Sequence, residues 1–217
     1  MPRQIFFENQ KYYHIYNRGV AKQKIFSDPR DYKRLLTAFG FYLEQSPKTR
    51  LSIADEKELK ILNLTAPKKP LVEILAYCLM PNHFHLLLKQ LKNEGISIFI
   101  RRSIDSYTKY FNTKYNRVGP LFQGRFKTVA VENDEQLLHL SRYIHLNPFT
   151  SKLTNSVADY EWSSYQFYLE NNTVRLCHPK FILDLINSSK NYAEFVNDYA
   201  EYIQSIEEFN NLLIDAE

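Results

Sequence analysis

The sequence predicts an α+β protein built on an antiparallel sheet. Two observations favour this class. Runs of apolar and aromatic residues that are typical of strands alternate with stretches of helical periodicity, and their order is strand, helix, strand, strand, helix, strand, helix. That order is the split βαβ arrangement of a ferredoxin-like sheet with helices on one face. This domain is predicted to cover residues 1–150, and residues 151–217 are predicted to form a helical C-terminal extension.

Local signals justify the individual elements. A first strand over residues 12–17 is followed by the turn signal Arg18-Gly19, and Asp28-Pro29 is typical of a helix start. Pro81-Asn82 separates two apolar runs, and Gly124 permits a bulge or a close backbone approach in the fourth strand. The other predicted strands are 71–77, 83–90 and 122–131, the predicted helices are 29–43, 95–115, 133–148, 159–170, 179–186 and 192–213, and the predicted loop is 46–70.

Length and composition bound the class of protein. A chain of 217 residues of which 44% are apolar can bury one sizeable core and carry a small appendage. No apolar run reaches the length of a membrane span, and the N-terminus has no secretion-type apolar segment. The two cysteines, Cys78 and Cys177, are too few for a disulfide framework or a zinc knuckle. We therefore expect a cytoplasmic protein with no membrane partner.

Basic residues are unevenly distributed, although the net charge is only +4. Seven of them and a single acid, Asp105, lie between positions 101 and 127, where aromatic residues are interleaved with them. Cations suit phosphates and aromatic rings suit unpaired bases, so this basic strip favours a nucleic-acid partner. The alternative is a solvated helix face whose apolar side packs in the core. The basic strip consists of Arg101, Arg102, Lys109, Lys114, Arg117, Arg125 and Lys127.

Two histidines one residue apart, His83 and His85, lie in the third predicted strand. Side chains alternate faces along a strand, so both imidazoles should point the same way and Phe84 the other. Neutral imidazoles at this spacing can form two arms of a metal site. The alternative is that one histidine is hydrogen-bonded in the core while the other is exposed. His14 in the first strand is expected to be structural, although strand pairing could bring it close to His83.

Tyr143 and Asn147 are four residues apart and share one face of a predicted helix. A phenol titrates near pH 10 and is a poor nucleophile unless a divalent metal polarises the phosphate that it attacks. His83 and His85 could hold such a metal, with the side-chain oxygen of Asn147 as a third ligand. The site suits Mg²⁺ or Mn²⁺ because the substrate phosphate supplies oxygens. Tyr143 could instead be a core aromatic. The rival nucleophiles are Tyr107, Tyr110 and Tyr115.

Several motifs, in this order, resemble a known family. Residues 80–85 (MPNHFH) match the His-hydrophobe-His motif of the single-tyrosine (HUH) transposases. Residues 121–127 (LFQGRFK), 143–148 (YIHLNP) and 162–164 (WSS) are similar to segments of the REP-associated tyrosine transposases and their relatives. Relatives near the REP group have Trp-Pro-Trp-Ser-Ser, where this chain has Tyr-Glu-Trp-Ser-Ser. The resemblance covers residues 11–168.

The resemblance implies a metal-dependent nuclease and strand transferase. Such an enzyme cuts single-stranded DNA beside a hairpin, forms a 5′-phosphotyrosine intermediate and leaves a free 3′-OH. By motif position, His83 and His85 are the metal ligands, Tyr143 is the nucleophile, and Asn147 is the amide that completes the metal shell. The implied cofactor is Mg²⁺ or Mn²⁺, the implied partner is single-stranded DNA with a hairpin, and a homodimer is possible.

Phosphate contacts are expected from Arg18, Arg142 and the basic strip, with Arg125, Lys127 and Arg142 best placed. Two other classes of function remain open. A catalytically inactive, domesticated descendant would bind nucleic-acid hairpins without a metal requirement and without a covalent adduct. A metal hydrolase that uses His83 and His85 with a water nucleophile would cut DNA without trapping it.

Overall fold

The structure, a computed structural model, describes residues 6–47, 49, 51, 67–170 and 176–214, with backbone alone for residues 203–214. Most of the predicted loop at 46–70 therefore lies outside the described residues. Within the described ranges, no helix combines the length and the apolar content that a membrane span requires.

Four strands form one sheet in which every neighbouring pair is antiparallel. The order across the sheet is β2-β3-β1-β4, so β3 lies between β1 and β2 and splits the βαβ unit. The predicted fold class is therefore confirmed. The strands are β1 (Tyr12–Arg18), β2 (Val72–Met80), β3 (His83–Gln90) and β4 (Lys127–Val131).

The fourth strand is shorter than the predicted range 122–131. Phe122 forms an isolated bridge with Gly19, outside the named strands. Gly124 has a φ of +71°, in the left-handed region that favours glycine, and its carbonyl oxygen accepts a hydrogen bond from the Asn17 side chain at 3.3 Å. The chain therefore turns close to the end of β1 before β4 begins.

Two helices, α1 (Pro29–Tyr42) and α2 (Gly95–Lys114), pack on one face of the sheet. Phe84 of β3 points to this face, and its ring centroid lies 6.0 Å from that of Phe39 in α1. The Phe39 ring in turn lies 5.6 Å from Phe99 in α2. All three rings are fully buried, so this layer forms a large part of the core.

The next helix, α3 (Asp134–Thr150), lies on the opposite face of the sheet. Its Tyr143 ring contacts His85, which alternates with Phe84 along β3. The predicted layer of helices on one face therefore consists of α1 and α2, whereas α3 and the extension cover the other face. A second layer is needed because β2 is buried almost throughout, on both faces. The helices of the extension are α4 (Tyr165–Leu169), α5 (Lys180–Leu185) and α6 (Ser189–Ile214).

The motif at residues 162–164 joins α3 to the sheet edge. The Ser164 backbone N–H donates to the Tyr77 carbonyl oxygen of β2 at 3.0 Å. The His145 ring of α3 is hydrogen-bonded to Ser164 Oγ through Nε2 and to the Tyr192 hydroxyl of α6 through Nδ1, each at 2.8 Å. Burial lowers the pKa of His145 to about 3, so this ring is neutral. The extension thus helps to hold α3 in place, and the domain boundary at residue 150 stays a prediction.

Candidate metal-binding and nucleophile site

Two central strands bring five polar side chains to one face of the sheet. Residues that stand opposite each other in β1 and β3 share a face, and the register pairs Tyr16 with His85 and Arg18 with His83. His14 precedes Tyr16 by two positions and so points the same way. The ring centroids of His83 and His85 are 5.0 Å apart. The common face expected from strand alternation is therefore present.

Tyr143 of α3 faces these imidazoles from the helix layer. Its ring centroid lies 5.7 Å from that of His85 and 6.2 Å from that of His14, in an edge-on arrangement with both. The side chain is 52% exposed, so a substrate can reach the phenol. The structure thus brings the predicted nucleophile next to the predicted metal ligands.

The imidazoles of the site are held in the neutral form. Burial, followed by the charges of His14, His83 and Arg18, lowers the pKa of His85 to about 2. Burial and the Arg18 charge lower the pKa of His83 to about 4, and burial lowers the pKa of His14 to about 4. A neutral imidazole keeps a lone pair on one ring nitrogen, which is what a metal ligand requires.

Each imidazole of the pair has a hydrogen-bond partner at its Nδ1 atom. His83 Nδ1 lies 2.6 Å from Asn82 Oδ1, and His85 Nδ1 lies 2.8 Å from His14 Nε2. The Nε2 atom of each ring is therefore the candidate ligand atom. Strand pairing has brought His14 into the site, whereas the sequence favoured a structural role for it.

The third predicted ligand, Asn147, lies one helical turn after Tyr143 and is 9% exposed. Its Nδ2 atom donates to the Tyr143 carbonyl oxygen at 2.8 Å, so its Oδ1 atom is the one that could bind a metal. No group of three or more His, Cys, Asp or Glu residues within the described part of the chain could hold a metal. An ion on two neutral imidazoles and an amide oxygen would need further oxygen ligands, which phosphate and water can supply. The donor set fits Mg²⁺ or Mn²⁺ on that condition.

The rival tyrosines Tyr107 and Tyr110 lie on α2 and Tyr115 directly follows it, on the other face of the sheet. The Tyr107 hydroxyl donates to the Ile25 carbonyl oxygen, and the Tyr107 side chain is fully buried. The hydroxyls of Tyr110 and Tyr115 donate to the Asp31 carboxylate at 3.1 and 2.8 Å. These contacts give the three residues structural roles away from the imidazoles.

A second phenol lies near the imidazoles and was not predicted as a site residue. The Tyr16 ring centroid lies 4.9 Å from that of His14 and 5.8 Å from that of His85. The sequence did contain the signal, since Tyr16 and His14 are two positions apart in the first strand and therefore point to the same face. What the sequence could not show was which face of the third strand would lie beside them.

The predicted phosphate contacts fall into two groups by position. Arg18 and Lys127 are exposed and lie on the same sheet face as the imidazoles, because Lys127 stands opposite Tyr16. Arg125 is exposed two residues before β4. Arg101 and Lys109 are also exposed but lie on α2, across the sheet from the imidazoles.

The other four predicted phosphate contacts are engaged within the chain. Lys114 Nζ lies 2.7 Å from Asp28 and 2.6 Å from Asp31, so its charge is already paired. The Arg142 guanidinium stacks over the rings of Phe195 and Tyr199 at 3.9 and 4.3 Å and so fastens α6 to α3. The Arg102 guanidinium donates a hydrogen bond to the Gln45 carbonyl oxygen at 2.8 Å. The Arg117 guanidinium donates one to the Gln23 side chain at 3.2 Å.

Comparison with known proteins gives three related matches. A family model described as "Transposase IS200 like" matches residues 46–147 of this chain. A curated REP-associated tyrosine transposase from Haemophilus influenzae is 25% identical over 151 residues, which cover 62% of this chain and 85% of that protein. A solved structure of a REP-associated tyrosine transposase bound to a REP hairpin has a TM-score of 0.52 and 18% identity, covering 78% of this chain and 85% of that one. At that identity, the structural likeness concerns the fold.

The segment matched by the family model includes the imidazole pair, Tyr143 and Asn147. The motifs of the sequence, the curated relative and the fold agree with that match. The family model, the curated relative and the fold therefore support the family of IS200-like transposases, and REP-associated tyrosine transposases are among the proteins that this chain resembles.

Proposed function

We propose that this chain is a metal-dependent single-strand DNA endonuclease and strand transferase that acts beside a DNA hairpin and forms a 5′-phosphotyrosine intermediate on Tyr143. The observation that carries the proposal is the exposed Tyr143 ring, whose centroid lies 5.7 Å from that of His85. The solved relative described as bound to a REP hairpin supports a hairpin as the DNA partner. A cytoplasmic location and a homodimer stay predictions.

The residues of the chain have separate roles in the proposed reaction. A divalent ion held by His83, His85 and the Asn147 carbonyl oxygen would polarise the scissile phosphate. The Tyr143 phenol loses its proton to solvent as its oxygen attacks the phosphorus in line. The bond from phosphorus to the 3′ oxygen breaks, and that oxygen takes up a proton from solvent and leaves as a 3′-OH. A 3′-OH later attacks the phosphotyrosine and returns the phenol. The α3 helix contributes by holding the phenol over the sheet.

Strand cleavage with a labelled oligonucleotide tests this proposal. A single-stranded hairpin with a 5′ label should give a shorter strand with a 3′-OH, and the same DNA with a 3′ label should give a covalent protein–DNA band. Both products should require Mg²⁺ or Mn²⁺ and disappear with a chelator. Hairpin binding without any product would indicate a non-catalytic binding protein, and cleavage without a covalent band would indicate a water nucleophile. Either result would contradict the proposal.

We expect hairpin phosphates to contact the sheet face that carries Arg18. Arg18→Ala should weaken hairpin binding several-fold at low salt and reduce the slope of log affinity against log salt by about 1, because one phosphate contact is lost. Lys109→Ala is the matched control, since Lys109 is exposed on the opposite face. Its affinity and salt slope should equal those of the unmodified chain. Fluorescence anisotropy with a labelled hairpin measures both quantities, and a larger effect of Lys109→Ala would place the DNA on α2 instead.

A further inference from the structure

The hydrogen-bond partners of His83 and His85 determine which nitrogen of each imidazole is available to a metal. A neutral imidazole carries its proton on one nitrogen and a lone pair on the other, and only the nitrogen with the lone pair can bind a metal. The hydrogen bond made by the remaining nitrogen selects between the two forms. The hydrogen bonds at His83 Nδ1 and His85 Nδ1 therefore determine whether the Nε2 atom of each ring can bind a metal.

Asn82 determines the proton position on His83. An amide oxygen can only accept a hydrogen bond, so the 2.6 Å contact requires that His83 Nδ1–H donates to Asn82 Oδ1. The orientation of the amide is itself fixed, because Asn82 Nδ2 donates to the Lys22 carbonyl oxygen at 3.2 Å. Rotating the amide by half a turn would place Oδ1 against the Lys22 carbonyl oxygen, which cannot donate, and would lose that hydrogen bond. The His83 lone pair is consequently on Nε2.

The backbone around Asn82 holds this side chain in place. Asn82 lies in the two-residue turn between β2 and β3, and its carbonyl oxygen accepts from the Gly19 N–H at 2.8 Å. The preceding carbonyl, of Pro81, accepts from the Ile25 N–H at 2.8 Å. A Cβ atom at Gly19 would lie 2.3 Å from the Gln23 carbonyl oxygen, so this close approach requires glycine. The loop after β1 thus fixes the turn that carries Asn82.

His14 has the corresponding place behind His85. The 2.8 Å contact between His14 Nε2 and His85 Nδ1 contains a single proton, because a hydrogen bond between two imidazoles needs an N–H on one ring and a lone pair on the other. If His85 Nδ1–H donates to His14 Nε2, the His85 lone pair is on Nε2 and can bind a metal. The reverse arrangement puts a proton on His85 Nε2 and blocks it. His14 is 8% exposed and its ring stacks with that of Tyr16, so it stays in position for this bond.

We propose that Asn82 and His14 are positioning residues that hold His83 and His85 with their protons on Nδ1, so that both Nε2 lone pairs are presented to one divalent ion. Neither residue needs to touch the ion or the DNA. The proposal deepens the proposed function, on which it rests, because the ion belongs to that function. We therefore predict the proton positions on the imidazoles of the metal-free chain and the affinity of the chain for a divalent ion.

Imidazole ¹⁵N chemical shifts of the metal-free chain test the first prediction. His83 should carry its proton on Nδ1 in the unmodified chain. Asn82→Ala removes the acceptor and should shift His83 toward the form with the proton on Nε2, whereas Asn82→Asp keeps an acceptor oxygen and should keep the proton on Nδ1. A His83 spectrum that is the same in the unmodified chain and in a folded Asn82→Ala variant would overturn the inference.

Titration with Mn²⁺ alone, followed by electron paramagnetic resonance of the free ion, tests the second prediction. Asn82→Ala and His14→Phe should each weaken Mn²⁺ binding by about 10- to 100-fold, as loss of an outer partner of a ligating histidine typically does. Asn82→Asp should stay within a few-fold of the unmodified chain. Asn155→Ala is the control, because Asn155 is an exposed asparagine between α3 and α4, and it should not change the affinity.

The two measurements separate this inference from the proposed function. If the unmodified chain binds no Mn²⁺, the metal-dependent function is wrong, whatever the His83 spectrum shows. If it binds Mn²⁺ and the two outer-partner variants bind equally well, the positioning roles are wrong while the function stands. Circular dichroism of each variant confirms that the chain is folded before either comparison is made.

Discussion

Tyr143→Phe is expected to abolish the covalent protein–DNA adduct and to slow hairpin cleavage by a factor on the order of 10³ or more, because no attacking oxygen remains. The phenylalanine ring can keep the edge-on contacts with His85 and His14. The fold and the phosphate contacts should be unaffected, so the hairpin affinity should stay within about twofold of the original. Gel analysis of 3′-labelled DNA measures the adduct, and anisotropy measures the binding.

Two further substitutions make the Tyr143 result specific. Tyr202→Phe is the matched control, because Tyr202 of α6 is 56% exposed, close to the 52% of Tyr143. It should cut and trap DNA at the original rate. Tyr16→Phe removes the other phenol near His85 and should still form the adduct. An adduct that survives Tyr143→Phe but is lost in Tyr16→Phe would contradict the assignment of the nucleophile.

Asp31→Ala is expected to cause the largest loss of stability, about 3–5 kcal/mol, because it leaves two hydroxyls and a backbone N–H without their acceptor and leaves the partly buried Lys114 with Asp28 alone as its carboxylate partner. The Asp31 carboxylate is fully buried and accepts from Lys114 Nζ at 2.6 Å. It also accepts from the Tyr115 hydroxyl and the Ser27 N–H at 2.8 Å each, and from the Tyr110 hydroxyl at 3.1 Å. The network joins the start of α1 to the end of α2. Urea denaturation measures the loss.

Asp105→Ala is the control for this prediction, because Asp105 is an exposed carboxylate on α2. Its free energy of unfolding should change by no more than about 0.5 kcal/mol. An Asp31→Ala variant that is as stable as the control would show that the network contributes little.

The dependence of stability on pH gives a second check on the same network. Burial raises the pKa of Asp31, but the hydrogen bonds from Lys114, Ser27 and Tyr115 together bring the pKa below its ordinary value. Hydrogen bonds from Lys114 and Arg30 hold the pKa of Asp28 well below its usual range. A pKa that is lower in the folded chain stabilises the fold above the unfolded value, near pH 3.9, and this contribution is lost as the pH falls through the folded value. Asp31→Asn should therefore flatten the fall in melting temperature below about pH 4.

The sheet and the common face of the imidazoles could be predicted because both follow from local periodicity. Alternation along a strand determines that His83 and His85 point the same way. The pair Asp28-Pro29 likewise predicts the residue at which α1 begins. The layer that α3 occupies could not be predicted in this way. It depends on which face of the sheet the C-terminal extension covers.

The surroundings of the site depend on contacts between residues far apart in the chain. The pairing of His14 with His85 follows from the register of β1 and β3, which no local pattern determines. Likewise, Lys114 looked like a free cation in the basic strip, but its partners Asp28 and Asp31 lie more than eighty positions earlier. The role of Tyr143 was implied by resemblance to a family, whereas its helical spacing to Asn147 was equally compatible with a core aromatic.

The site of attachment in the covalent adduct tests the central claim most directly. After reaction with a hairpin substrate, digestion with trypsin and nuclease should leave a nucleotide on a peptide that mass spectrometry can locate. Between Lys127 and Lys152, Tyr143 is the sole tyrosine, so its peptide is unambiguous. We expect the nucleotide on Tyr143, in an amount that depends on Mg²⁺ or Mn²⁺. A nucleotide attached to any other residue, or adduct formation that is unchanged in a chelator, would contradict the account.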